Sequence, residues 1–387
     1  MAADTPTFAL VAGESSGDQL GAALVEKLRE RYPGARFCGV GGRRMQAAGV
    51  DAWWDSEELA VMGLVEVLSH FPRLLTLRRH LQRRLLAVRP DVFVGIDAPD
   101  FNLGLEIKLR RAGIRTAQYV SPTVWAWRQG RVRKIRRAAD LVMCLFPFEP
   151  GFYGRHDVAA AYVGHPMADQ IECDHNPGAA REALGLDPGS TTVALLPGSR
   201  ASEVGLLAGP MIEAAALLRA RRPALQLVSA MANEQAETIF AQAMQGSACT
   251  DIELIHDRPR QVMAAADVVI CASGTATLET MLVNRPMVMA YRVARPTYLM
   301  AKHLKLIRPQ LFALPNILAG EPLVPELLQD QATGENLARE ALRWLDNPRE
   351  AEAVRRRFDD LHAQLRCDAS ARAAEAVAGL MNAERGG

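Results

Sequence analysis

The chain has almost no net charge, no paired cysteines and no long apolar run. Lysine and arginine number 45 against 44 aspartate and glutamate, a formal net charge of +1. A general nucleic-acid coat needs an excess of cations, so no nucleic-acid partner is expected, although local basic clusters still count. The six cysteines (Cys38, Cys144, Cys173, Cys249, Cys271 and Cys367) form no C-x-x-C pair. Several sit in apolar runs such as "VMCLF" and "VICAS", as reduced packing residues of a cytosolic protein do. The eight histidines show no H-E-x-x-H spacing, so no tightly held metal is expected. The N-terminal apolar run is too short for a signal peptide and has no basic flank, and no stretch approaches the roughly eighteen apolar residues of a membrane span. These absences predict a protein that is made in the cytosol and stays there.

A chain of 387 residues is too long for one ordinary core and predicts two domains. Short apolar runs alternate with helix-length segments: "FALVAG", "RFCGVGG", "DVFVGIDA", "TAQYVSP", "LVMCLFP" and "AAYVGHP". After the looser "DQIECDHNPGAAREALGLDPGS", the alternation restarts with "TTVALLPG", "LQLVSAM", "DIELIHD", "DVVICAS" and "RPMVMAYR". Near-continuous apolar strands alternating with helices predict parallel sheets covered on both faces. The expectation is α/β, two Rossmann-like doubly wound domains over 1–170 and 171–345. A helical tail over 346–387 either crosses back or is exchanged between subunits. This is the GT-B architecture of nucleotide-sugar transferases, with ligands in the cleft at the carboxyl ends of the strands.

The sharpest local signal is "LLPGSR", Leu195 to Arg200. A strand stops, Gly198 lets a ligand come close, Ser199 offers a cap oxygen, and Arg200 stands at a helix start, where amides and dipole favour an anion. "ASGTATLE" repeats the device with Gly274 and Thr275. Glu279, one turn along the helix, is placed to accept from ribose hydroxyls. Together these suit a nucleoside diphosphate; taken singly, each is also ordinary N-capping. Asn316 in "LPNILAG" is a further contact or a capped turn.

In the first half, "AGESSGDQLG" carries Glu14, Ser16 and Asp18. Its two carboxylates would repel a pyrophosphate, so sugar hydroxyls are the better functional reading, with Asp18 as a helix cap the alternative. "VGIDAPDFN" sets Asp97 at a strand end and Asp100 in the loop after it. Partial burial would bring Asp97 into the range of a general base; a turn-forming Asp before Pro99 is the alternative. From Val67 to Pro90 the chain has arginines and no acid. Leu74, Leu77, Leu81, Leu85 and Val88 keep a 3-4 spacing that predicts packing on the sheet. Val65, Val67, Leu68, Phe71, Leu74 and Leu75 leave enough apolar surface, ringed by arginine, for anionic lipid, a solvated crossover helix being the competitor. "VWAWRQGRVRKIRR" adds Trp127 and Arg128, suited to stacking on bases or to lining a groove for a phosphorylated, acylated substrate.

In this order "VAGESSGD", "VGIDAPDFN", "YVSPTVWAWRQGR", "LLPGSR", "ASGTATLE" and "LPNILAG" resemble the lipid-A-disaccharide synthase family of Gram-negative bacteria over nearly the whole chain. The resemblance implies an inverting, metal-independent GT-B glycosyltransferase with no cofactor. It would join UDP-2,3-diacylglucosamine to 2,3-diacylglucosamine 1-phosphate, giving a β-1,6-linked disaccharide and UDP. It also implies a homodimer, peripheral on the cytoplasmic face of the inner membrane. Asp97 would be the base and Arg200 would stabilise the leaving diphosphate. The UDP would be held by Gly198, Ser199, Arg200, Gly274, Thr275, Glu279 and Asn316. Glu14, Ser16, Asp18, Asp100, Trp127 and Arg128 would face the acceptor. The rivals are another GT-B enzyme, such as a UDP-N-acetylglucosamine epimerase or the peptidoglycan transferase, and a non-catalytic RNA- or membrane-binding module.

Overall fold

A strand that is apolar at nearly every position belongs in the middle of a sheet covered on both sides. β1 (Thr7–Ala12) is such a strand, buried from Phe8 onward. With it pair β2 (Arg36–Val40), β3 (Asp51–Trp54), β4 (Val92–Ile96), β5 (Arg115–Tyr119), β6 (Leu141–Cys144) and β7 (Ala160–Tyr162). The computed structural model describes residues 5–59, 64–125, 129–172, 176–294 and 311–382, with backbone alone over 64–72. Among these residues the first sheet runs β3-β2-β1-β4-β5-β6-β7. A second sheet holds β8 (Thr192–Leu196), β9 (Gln226–Met231), β10 (Glu253–His256), β11 (Val268–Ala272), β12 (Met287–Tyr291) and β13 (Glu326–Leu328), in the order β10-β9-β8-β11-β12-β13. Every pairing in both is parallel. Strand addition reverses beside the first strand of each sheet, between β1 and β4 and between β8 and β11. That is the switch point where ligands of doubly wound folds bind. The chain is two Rossmann-like α/β units of GT-B type, as the alternation predicts.

The first unit combines residues 1–169 with 365–387, and the second is 170–364. The returning chain is fastened by Asp169, which accepts from the amides of Cys367, Asp368 and Ala369 at 3.0, 3.0 and 2.7 Å. Gly164, at φ +92°, allows the close passage: a Cβ there would lie 2.7 Å from the Cβ of Cys367. Ala373, Ala374 and Val377 of the final helix then join the core of Leu24, Val25 and Leu28.

Four helices follow the first four strands: α1 (Ser15–Arg31), α2 (Arg43–Ala47), α3 (Leu64–Val88) and α4 (Pro99–Arg111). Leu81 and Leu85 of α3 pack with Ala9, Val11 and Phe93, as the 3-4 spacing predicts. The stripe ends there: Val88 is 42% exposed. In the second unit, the helix Ala201–Arg221 is long and apolar enough to cross a membrane by length and composition, against the expectation that no segment approaches this. Val204, Leu207, Met211, Ile212 and Leu218 are buried, and the helix packs against the helices Glu234–Gln245 and Gly334–Asp346. It is a core helix of a sheet whose both faces are covered.

Candidate active site

The register of the first sheet sets Ala12 opposite Ile96, so the residues that follow, Gly13 and Asp97, emerge side by side. The Gly13 amide donates to Asp97 Oδ1 at 2.8 Å. Asp97 and Ala98 both take left-handed backbone, φ +51° and +33°. Such conformations cost on the order of 1–3 kcal/mol each in a non-glycine residue, and persist only where the surroundings enforce them. Here the enforcement is visible: Pro99 opens α4, and the side-chain amides of Asn102 and Gln118 both donate to the Asp97 carbonyl at 3.2 Å. Helix α1 passes close overhead, where a Cβ on Gly17 would fall 1.9 Å from Asp97 Oδ2. Burial pushes the Asp97 carboxyl up to about 7; the Gly13 amide works against this and the Glu14 charge adds to it. A carboxyl so placed is ready to take a proton at neutral pH.

Asp97 opens into a cavity of about 360 Å³ lined by Glu14, Pro99, Ser121, Thr123, Val124 and Arg131. The loop holding Ser121 and Val124 is anchored from behind by buried Glu149, which accepts from the Trp125 indole and the Phe146 amide at 3.0 Å each. Burial raises the Glu149 carboxyl to about 7 as well. Sequence reading missed Glu149, Asn102 and Gln118, because only the fold brings Glu149 under this loop and the two amides under the Asp97 turn. Of the expected acceptor contacts, Glu14 lines the cavity, while Asp100 sits at its margin paired with Arg131. Ser16 is exposed and is not among the cavity's lining residues. Asp18 is corrected outright. It is 6% exposed and accepts from the amides of Gly42, Arg44 and Met45 at 2.7, 3.0 and 3.1 Å. It caps α2, neither its own helix nor a sugar. Trp127 and Arg128 lie outside the described residues.

In the second sheet, Leu196 pairs with Cys271, which brings the two glycine corners together. Gly198, Ser199, Arg200, Gly274, Thr275 and Glu279 all line one cavity of about 340 Å³. Both corners need glycine, at φ +109° for Gly198 and +113° for Gly274. Among the described residues, no N-cap side chain bonds the first amides of the helix Ala201–Arg221 or the helix Thr275–Leu282. Both helices begin at residues that line this cavity, where uncapped amides and the helix dipole favour an anion. Ser199 is not the cap that the sequence suggested; Arg200 holds that position, and Asn233 secures the corner by donating to the Ser199 carbonyl at 3.0 Å. The Arg200 side chain is 78% exposed and held by Glu203 at 2.9 Å. Glu279 faces Arg260 at 3.2 Å.

Asn316, expected as a nucleotide contact, is not among the residues lining this cavity. It is fully buried, donates to the Val324 carbonyl and Glu326 at 2.9 and 2.8 Å, and accepts from the Leu323 and Val324 amides at 2.8 and 2.9 Å. With every polar atom engaged it clamps a loop and has nothing left for a nucleotide. Asn316→Ala is expected to lose about 1–3 kcal/mol of stability, since it leaves the buried Val324 amide without its acceptor and the Val324 carbonyl without its side-chain donor. UDP affinity measured by calorimetry well below the melting temperature should be unchanged.

The basic helix α3 is less bare than its sequence suggests. Arg73 pairs with Glu58 at 2.9 Å and Arg84 lies 4.1 Å over the Trp53 ring. Leu74 and Leu75 are half-buried, and the side chains of Val65, Val67, Leu68 and Phe71 lie outside the described residues. Among the described residues, no group of three or more His, Cys, Asp or Glu side chains is arranged to hold a metal.

The family model described as lipid-A-disaccharide synthetase matches residues 8–377. The chain belongs to this family. It is 52% identical over 378 residues to the lipid-A-disaccharide synthase of Xanthomonas oryzae pv. oryzae, covering 97% of this chain and 88% of the relative. It is 50% identical to that of Xylella fastidiosa, covering 97% and 98%. The protein is accordingly a UDP-sugar-dependent glycosyltransferase of lipid A biosynthesis. Among solved structures, a UDP-N-acetylglucosamine 2-epimerase from Neisseria meningitidis bound to UDP-N-acetylglucosamine aligns with TM-score 0.62 at 11% identity, over 96% of this chain and 98% of that one. A putative 2-epimerase from Listeria monocytogenes gives 0.61 at 15%, over 96% and 94%. At such identity the likeness is one of fold, and the rival epimerase reading draws nothing more from it.

Proposed function

We propose that the chain transfers 2,3-diacylglucosamine from its UDP derivative to the 6-hydroxyl of 2,3-diacylglucosamine 1-phosphate, with inversion. The observation that carries this is the pairing, in one lipid-A-disaccharide synthase chain, of a buried carboxyl near neutrality with a separate cavity walled by two uncapped helix starts. In the first unit, Asp97 takes the proton of the attacking hydroxyl, with Glu14 and Arg131 lining the acceptor's cavity. In the second, the diphosphate rests on the amides after Gly198 and Gly274, and Glu279 accepts from the ribose. Arg200 leaves Glu203 for the diphosphate and offsets the charge that grows as the glycosidic bond breaks. Inversion needs a single displacement, so no second carboxylate has to form a covalent intermediate.

Incubation with labelled UDP-diacylglucosamine and the acceptor 1-phosphate is expected to give disaccharide and UDP at equal rates, unchanged by a chelator. Turnover of unacylated UDP-N-acetylglucosamine without an acceptor would refute the reading. Half-buried Leu74 and Leu75 beside the arginines of α3 support contact with an anionic bilayer, seen as salt-sensitive co-sedimentation with vesicles. A homodimer, read by light scattering, completes the proposal.

A further inference from the structure

Beneath the Asp97 turn lies a polar cluster that the transfer reaction leaves unused. Asn102, Glu106 and Gln118 are each 0% exposed. They converge on Gly95 in β4. Gln118 is its register partner in β5, and a Cβ on Gly95 would lie 2.4 Å from Glu106 Oε1 and 2.9 Å from Asn102 Cβ. The Asn102 side-chain nitrogen has the carbonyls of Val11, Ile96 and Asp97 within reach, and that of Gln118 has those of Asp97, Tyr119 and Val120. These carbonyls fix which end of each amide is nitrogen. The opposite ends, Asn102 Oδ1 and Gln118 Oε1, have no donor, and neither carboxyl oxygen of Glu106 has one. Four buried acceptors without a donor are a poor surrounding for an ionised carboxylate. One proton changes this, because a carboxylic acid carries an O–H to give.

We propose that Glu106 is held as a neutral acid and donates its O–H to the amide oxygen of Asn102, making it a positioning residue for the Asp97–Ala98 turn. Asn102 stands one helical turn earlier on α4 and presses on the same glycine. Its nitrogen reaches the carbonyl of Asp97 itself, so a hydrogen bond received at its oxygen stiffens the one it gives. Burial holds Glu106 well above the usual carboxylate range, with Lys134 opposing and Asp140 reinforcing that effect. A second ionised carboxylate is thereby kept away from the general base. The consequence for turnover rests on Asp97 being that base; the protonation state of Glu106 does not.

The first test is infrared difference spectroscopy of wild type against Glu106→Gln at neutral pH. Loss of a protonated-carboxyl band is expected, and loss of carboxylate bands instead would overturn the proposal whatever Asp97 proves to do. The second is kinetic. Glu106→Gln keeps a donor and should retain kcat and the pH profile. Glu106→Leu should lower kcat roughly 10- to 100-fold with little change in either KM, as expected for a small misplacement of the reacting groups. A Gln variant as impaired as the Leu variant, or a Leu variant with unaltered kcat, would sink the idea. Should the Leu variant fail to fold, judged by circular dichroism and its thermal unfolding, the Gln variant and the infrared band still decide.

Discussion

Asp97→Asn is expected to lower kcat by roughly 10²- to 10⁴-fold, the usual worth of a positioned general base, while UDP affinity is retained. The amide keeps an oxygen to accept from Gly13 but cannot take a proton from the acceptor. The pH behaviour follows from the same burial. With the carboxyl raised to about 7, the base is ionised above that pH, so wild-type kcat/KM should fall about tenfold per unit below it. Stability runs the other way. The folded pKa of about 7 exceeds the ordinary 3.8, so between these values the native state holds a proton that the unfolded chain has lost. The stabilisation due to this proton is present in full below about pH 4 and is lost as pH rises through 7. Asp97→Asn removes the cost of a buried charge, so its stability should exceed wild type by on the order of 2–4 kcal/mol at pH 8 and barely differ at pH 4. Denaturant titrations at the two pH values read this directly. An Asn variant that keeps near-full turnover would remove Asp97 from the base role.

Arg200→Ala should cost roughly 10²- to 10³-fold in kcat, comparable to losing one donor at a developing anion. Because Arg200 is largely exposed and its ion pair with Glu203 is a surface one, the folded protein should lose less than about 1 kcal/mol. The substitution therefore separates catalysis from stability. Arg200→Lys should recover only part of the rate, since an ammonium is a point charge without the planar fork that grips two phosphate oxygens. Single-turnover measurement with saturating donor isolates the chemical step, and an unchanged rate there would remove Arg200 from the leaving-group role.

Why some parts of this molecule are readable from the chain and others are not has a common cause. Eleven of the strands announce themselves as apolar runs: nine are central and bury both faces, and the edge strands β7 and β10 are recognisable by their place in the strand–helix alternation. β3, "DAWW", and β13, "ELL", are edge strands of four and three residues with partly exposed side chains, and nothing in their composition separates them from loop. The corners at Gly198 and Gly274 are legible because few residues other than glycine tolerate their backbone. Asp18 and Asn316 have the chemistry of ligand contacts, yet each is spent on the protein's own amides. A carboxylate or an amide carries no mark of whether its partner will be a sugar or a helix start.

The sequence by itself determined the α/β alternation, the two glycine corners, the carboxylate at the end of β4 and, through its motifs, the family. Those features depend on neighbours in the chain, on hydrophobic period and on φ preferences, all local. Only the tertiary structure decided that Gly13 and Gly17 close over Asp97, that Glu106 is buried against Gly95 and that Asp18 caps α2. Burial and hydrogen-bond partnership are set by residues tens of positions away, and these alone fix how strongly a carboxyl holds its proton.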